Sequence, residues 1–155
     1  MQIRPSALHV ASQMGHYEVV NLLLTLGRAQ VDARTARKDC TPLMLALYMA
    51  ARTPRSARHA VCVQLLLRAG ASLHACDVKG NRAIEWAPAE WRDALNATHL
   101  DYTEEGRLGA GEDALLRALG RRDADAMTYL HALPPLPRDG PGVCGGLAKA
   151  CCRCL

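Results

Sequence analysis

Seven cysteines and six histidines are the side chains of this 155-residue chain with the most chemistry to offer. Four of the cysteines, Cys144, Cys151, Cys152 and Cys154, crowd the carboxyl end, and four thiolates are enough to hold a tetrahedral zinc. An adjacent pair followed by a one-residue gap does not match the spacing of two to four residues that lets thiolates surround one metal, so no metal and no other cofactor is expected. The same stretch ends in Cys152-Arg153-Cys154-Leu155, a cysteine fourth from the end with leucine last, similar to a geranylgeranylation box. Arg153 and Cys154 replace that box's aliphatic pair. Cys151 and Cys152 therefore stand as candidate lipid-attachment sites, by prenylation or palmitoylation, and one lipid gives only marginal membrane binding. The other cysteines, Cys40, Cys62 and Cys76, form no staple-like pattern, which fits reduced thiols in the cytosol. Catalytic signatures are missing from the sequence: it contains no G-x-S-x-G, phosphate-binding glycine loop, H-E-x-x-H or paired-carboxylate motif, so no enzyme is expected.

Composition narrows the class further. Half the residues are apolar, Phe is absent, and Ala, Leu and Arg are abundant, which is helix-forming material. The formal net charge of +4 is too small and too dispersed to indicate a nucleic-acid partner. No apolar run approaches the roughly 18 residues of a membrane span, and the amino-terminal stretch does not read as a signal peptide. The expected compartment is the cytoplasm, with the nucleus open to it, and membrane contact only if the tail is lipidated. Asn96-Ala97-Thr98 is formally a glycosylation acceptor that a cytoplasmic chain would not use.

The elements that would position any site are written most clearly between Ser6 and Gly27, in SALHVASQMGHYEVVNLLLTLG. Ser6 is a helix N-cap, Leu8, Val10 and Ala11 supply an apolar stripe, Gly15 interrupts it, and Val19-Val20-x-Leu22-Leu23-Leu24 begins a second helix that Gly27 stops. A hairpin of two short helices cannot bury so wide an apolar face alone. The unit recurs. Aligning Leu8 with Leu43 and Ile84 places Ser6-Ala7-Leu8-His9-Val10-Ala11 over Thr41-Pro42-Leu43-Met44-Leu45-Ala46 and Arg82-Ala83-Ile84-Glu85-Trp86-Ala87, while Val20 to Gly27 falls over Val63 to Gly70.

This pattern, T-P-L-H-x-A followed by G-H-x-x-V-V-x-L-L-L-x-x-G, resembles the ankyrin repeat over about residues 1–95. The resemblance implies an all-α solenoid of helix-turn-helix units with short β-hairpin fingers. It also implies that His9 and His16 brace turn and hairpin through hydrogen bonds to backbone. Leu43 follows Leu8 by 35 residues, and both extra residues fit the finger linker around Arg28 and among residues 34–38, where Asp39 takes the family's glycine position. Ile84 follows Leu43 by 41 residues, with the surplus between Tyr48 and His59. There Thr53-Pro54 reads as an N-cap and first-turn proline, so that the second helix begins early. The insert carries Arg52, Arg55 and Arg58, and both a solvated loop and a phosphorylation switch at Thr53 or Ser56 fit it. Pro88 truncates the third unit's first helix at Trp86 or Ala87, leaving a short helix to about Asn96. Leu22, Leu23, Leu65, Leu66, Ala11 and Ala46 are assigned to the core. Ile3, Leu8 and Val20 are candidates for an uncovered outer face, the mark of a chain that lacks a neighbour.

The expected organisation is repeats over 1–97, a linker over 98–111, a degenerate helical hairpin over 112–133 and a disordered tail over 134–155. For function the resemblance implies a concave surface that binds another protein. Its partner-facing positions here are Gln13 and Met14 in the first unit, Arg37, Lys38, Tyr48 and Met49 in the second, and Cys76, Val78 and Lys79 before the third. An alternative is an adaptor whose tail recruits or anchors. Leu119-Gly120 and Leu133-Pro134-Pro135-Leu136-Pro137 faintly resemble the SOCS box of ubiquitin-ligase receptors without its leucine-cysteine element, and a lipidated tail would make a peripheral scaffold. The chain is expected to be a monomer or part of a longer one.

Overall fold

In the computed structural model, residues 5–26, 29–53 and 57–104 are described, with the single positions 128 and 132; for 97–104 only the backbone path is given. The segments expected as a hairpin (112–133) and a tail (134–155), with Cys151 and Cys152, lie outside the described residues apart from those two helical positions.

Among the described residues up to Glu104, five α-helices follow in order: α1 (Ala7–Met14), α2 (Tyr17–Thr25), α3 (Pro42–Arg52), α4 (Arg58–Arg68) and α5 (Ala89–Glu104), with a 3-10 helix (Ala83–Trp86) before α5. Each unit opens at the same register by a different local device. At α1, His9 Nδ1 accepts the Ser6 N–H at 3.1 Å. At α3, the Thr41 hydroxyl accepts the Met44 N–H at 3.3 Å with Pro42 in the first turn, where its missing donor costs nothing. At the 3-10 helix, the Glu85 carboxylate accepts the Arg82 N–H at 3.0 Å. Stacking of α1 and α2 on α3 and α4 then buries Leu8, Leu43, Met44, Leu47, Leu65, Leu66 and Leu73 in one core, closed at its far end by Trp91 and Leu95 of α5.

Four expectations change. Leu22, assigned to the core, is 53% exposed, whereas Leu65 at the same register in the second unit is 1% exposed. Among the described residues nothing stacks on the first unit as the first unit stacks on the second. Of Ile3, Leu8 and Val20, named for an outer face, Leu8 and Val20 point inward and are buried, and Ile3 lies outside the described residues. Thr53 does not start α4. It ends α3, its N–H and hydroxyl both bonding the Met49 carbonyl at 2.9 and 2.7 Å, and both helices of the unit are longer than in the first, α3 with 11 residues against 8 in α1 and α4 with 11 against 9 in α2. Finally α5 runs to Glu104, past Asn96, and takes in residues 98–104 of the stretch expected as linker. Arg92 on α5 satisfies what Pro88 leaves open, donating to the Ala87 and Glu85 carbonyls at 3.3 and 3.1 Å.

The fingers are tighter than strand hairpins. Among the described residues their only ladder is an isolated antiparallel bridge, Cys76 to Arg82. Asp39 carries the left-handed turn with φ of 50°, the position where the third unit has Gly80 at 84°.

Candidate functional site

The two fingers are locked to each other and to their bases. The Val78 N–H donates to the Lys38 carbonyl at 3.0 Å, and Arg34 Nη1 donates to the Cys76 carbonyl at 2.6 Å. Behind them the Ser72 N–H donates to Asp32 Oδ1 at 3.1 Å. Burial raises the Asp32 carboxyl above its ordinary range, against the lowering effect of that bond and of Arg34. The tip of the second finger is closed by Asp77, whose carboxylate accepts the Lys79 N–H at 2.8 Å, the Asn81 N–H at 2.9 Å and the Asn81 side-chain amide at 2.9 Å. Desolvation alone would raise the Asp77 carboxyl, but these bonds outweigh it and hold it below the usual carboxylate range.

Between the fingers lies a shallow groove of about 160 Å³ lined by Lys38, Cys40, Asp77, Val78, Lys79, Asn81 and Trp86. Trp86 meets the Tyr48 ring edge-on, centroids 5.5 Å apart at 72°. Arg52 sits 5.4 Å from the centre of the Tyr48 ring and donates to its hydroxyl at 2.6 Å. The aromatic pair is thus fixed from behind, and Tyr48 stays 38% exposed.

Of the positions named from the sequence, Lys38, Val78 and Lys79 line this groove, with Val78 62% exposed. Tyr48 is joined to it through Trp86, Arg37 is exposed, and Met49 and Cys76 are half-buried. Gln13 and Met14 stand exposed at the end of α1, at the register of Tyr48 and Met49. Trp86, Arg52, Asn81 and Arg34 belong to the site and were not among the named positions. The signal for Trp86 was its register with Val10 and Leu45, partly surface positions of the first helices, whereas the Arg34 and Val78 contacts span fingers some 40 residues apart and leave no local trace.

Two histidines hold the units together. His9 is 1% exposed; its Nδ1 accepts from Ser6 and its Nε2–H donates to the Cys40 carbonyl at 3.1 Å. Burial is the main reason its pKa lies below the usual histidine value, opposed by the bonds to the Cys40 and Ala33 backbone. His59 does the second job. Its Nε2 bonds the Gln13 carbonyl at 3.0 Å across the repeat boundary, with Nδ1 3.3 Å from the Thr53 hydroxyl. His16, at the register of His59, is exposed and makes no side-chain capping bond.

The chemistry of the cysteines is suppressed. Burial pushes the Cys62 thiol up to about 12, and burial with the nearby Asp77 charge raises Cys40, so both stay protonated and poorly nucleophilic. Among the described residues no group of three or more His, Cys, Asp or Glu could hold a metal ion, and no helix is long and apolar enough to cross a membrane.

The family model described as ankyrin repeats (3 copies) matches residues 2–77, ending just before the 3-10 helix and α5. No curated protein and no solved structure matches the chain.

Proposed function

We propose, from the premise that residues 2–77 belong to the ankyrin-repeat family, that this chain binds a partner protein through its fingers and the adjoining ends of α1 and α3. Ankyrin repeats are in general protein-interaction modules, and the coarse function follows from membership. The finer reading rests on one observation: the fingers are fixed to each other by the Val78–Lys38 and Arg34–Cys76 bonds while their outward side chains stay exposed. A surface already rigid loses little entropy on binding.

Its chemistry suits a segment that is acidic with an apolar anchor. Arg37, Lys38 and Lys79 supply positive charge, and Val78, Tyr48 and Met14 supply exposed apolar and aromatic area beside it. Two of the neighbouring acids are committed elsewhere, Asp77 to its own turn and Glu85 to Arg82 at 3.5 Å, while Asp39 is exposed beside Lys38. Affinity capture with the full chain tests the reading. A variant carrying Met14→Glu and Tyr48→Glu, and a second carrying Lys38→Glu and Lys79→Glu, should each lower recovery of a captured partner by about tenfold or more while thermal unfolding stays cooperative. Unchanged recovery by both folded variants would remove the proposed surface.

A further inference from the structure

Trp86 walls the groove from a weak element. The 3-10 helix that carries it is four residues long, and bonds of this type are poorer in geometry than those of an α-helix. Its last carbonyls would be left open, because Pro88 has no N–H to return to them. The indole brings no anchor of its own. Its N–H is buried and makes no hydrogen bond among the described residues, so the ring is placed by its backbone, by the core beneath it and by the edge-on contact with Tyr48.

That backbone is held from α5. Arg92 Nη2 donates to the Glu85 carbonyl at 3.1 Å and Nε to the Ala87 carbonyl at 3.3 Å, so one planar guanidinium spans the residue between them. Arg92 is itself exposed, between the buried Trp91 and Leu95 that seat α5 on the core. The other half of the aromatic pair has a matching device, Arg52 on the Tyr48 hydroxyl and ring. Each ring thus has its own arginine.

We propose that Arg92 is a positioning residue for the binding surface: by bridging the Glu85 and Ala87 carbonyls it sets the angle of the Trp86 indole, against which the partner's apolar anchor packs. This rests on the finger surface proposed above. It adds that the anchor is chosen by a residue beyond the segment 2–77 that matches the family, where the first and second units have Val10 and Leu45 at the register of Trp86. A flat indole selects a large apolar or aromatic side chain, and Lys38 and Lys79 on the same groove select acidic neighbours for it.

Short peptides selected by display on the full chain serve as probes, and their Kd is read by fluorescence anisotropy in a double-mutant cycle of Trp86→Leu and Arg92→Ala. Leucine is what the second unit carries at this register, so apolar contact with the core is kept. The selected peptides should be acidic with one large apolar residue. Trp86→Leu should weaken binding about fivefold or more and Arg92→Ala about three- to fivefold, with the double variant no more than about twofold weaker than Trp86→Leu alone. Arg92→Lys keeps the charge without the two-pronged donor, and should bind within about twofold of Arg92→Ala. Losses that multiply in the double variant, or full binding by Arg92→Lys, would overturn the proposal, because Arg92 would then act by itself or by its charge. So would undiminished binding by Trp86→Leu or Arg92→Ala while Lys38→Glu with Lys79→Glu abolishes it, a result that leaves the finger surface standing. If that charge-reversed variant also binds undiminished, the finger surface fails and the proposal with it.

Discussion

Replacing His9 tests the coupling between the first helix hairpin and the finger that follows it. The imidazole is buried, caps α1 through the Ser6 N–H and holds the Cys40 carbonyl 31 residues on. In His9→Ala the carbonyl keeps its bond from the Thr35 N–H at 3.1 Å, so its loss is at the low end, about 1 kcal/mol. The lost cap adds about 1 kcal/mol, and the void left by a buried ring adds roughly 1–2 kcal/mol, for about 3–4 kcal/mol in all. Urea unfolding followed by circular dichroism at pH 7.5 reads this directly.

The proton provides a second, sharper reading. Burial is what lowers the His9 pKa from 6.5, against the raising effect of its bonds to the Cys40 and Ala33 backbone. Well above pH 6.5 both folded and unfolded states are neutral and His9 contributes no pH dependence. As pH falls below 6.5 the unfolded chain takes up the proton first, and stability is lost until the pH passes the lower folded value. His9→Gln, which can donate but not titrate, should therefore lose less stability between pH 7.5 and 5 than the natural chain. Equal losses in the two proteins, or a cost under about 1 kcal/mol for His9→Ala, would refute the assignment.

Other consequences can be checked together. Gly15→Ala combines a φ of 73° with a close approach to His59, and should cost about 2 kcal/mol or more in denaturant unfolding. Asp39→Val should cost about 1–2 kcal/mol because a β-branched side chain resists φ of 50°, whereas Asp39→Gly should be near neutral by the same assay. In the folded chain Cys62 and Cys40 should react with an alkylating reagent far more slowly than in urea, with mass mapping of the modified cysteines as the readout.

How much of this was legible in the sequence depends on how local the deciding contacts are. Ser6, Gly15 and the leucines of α2 announce a helix hairpin because caps, a left-handed glycine and helical periodicity act within a few residues, and Asp39 could be placed because its turn is equally local. Thr53-Pro54 misled for the converse reason: threonine before proline suits the start of one helix or the end of another. The choice fell to the Met49 carbonyl one turn back and to His59 six residues on, both of which the Thr53 hydroxyl meets. Leu22 and Leu65 carry the same periodic signal, and only the presence of a stacked neighbour separates them. The groove is the least legible part, since Lys38, Val78 and Trp86 come together through finger contacts that no short-range pattern records.

Hydrogen exchange on the full chain, with and without its captured partner, addresses the binding surface most directly. Slowed exchange on binding should concentrate in the backbone of residues 36–39 and 76–82 and at the ends of α1 and α3, around Gln13–Met14 and Tyr48–Met49, leaving the α2 and α4 amides unchanged. Protection confined to α2 and α4, with the fingers unaffected, would contradict it.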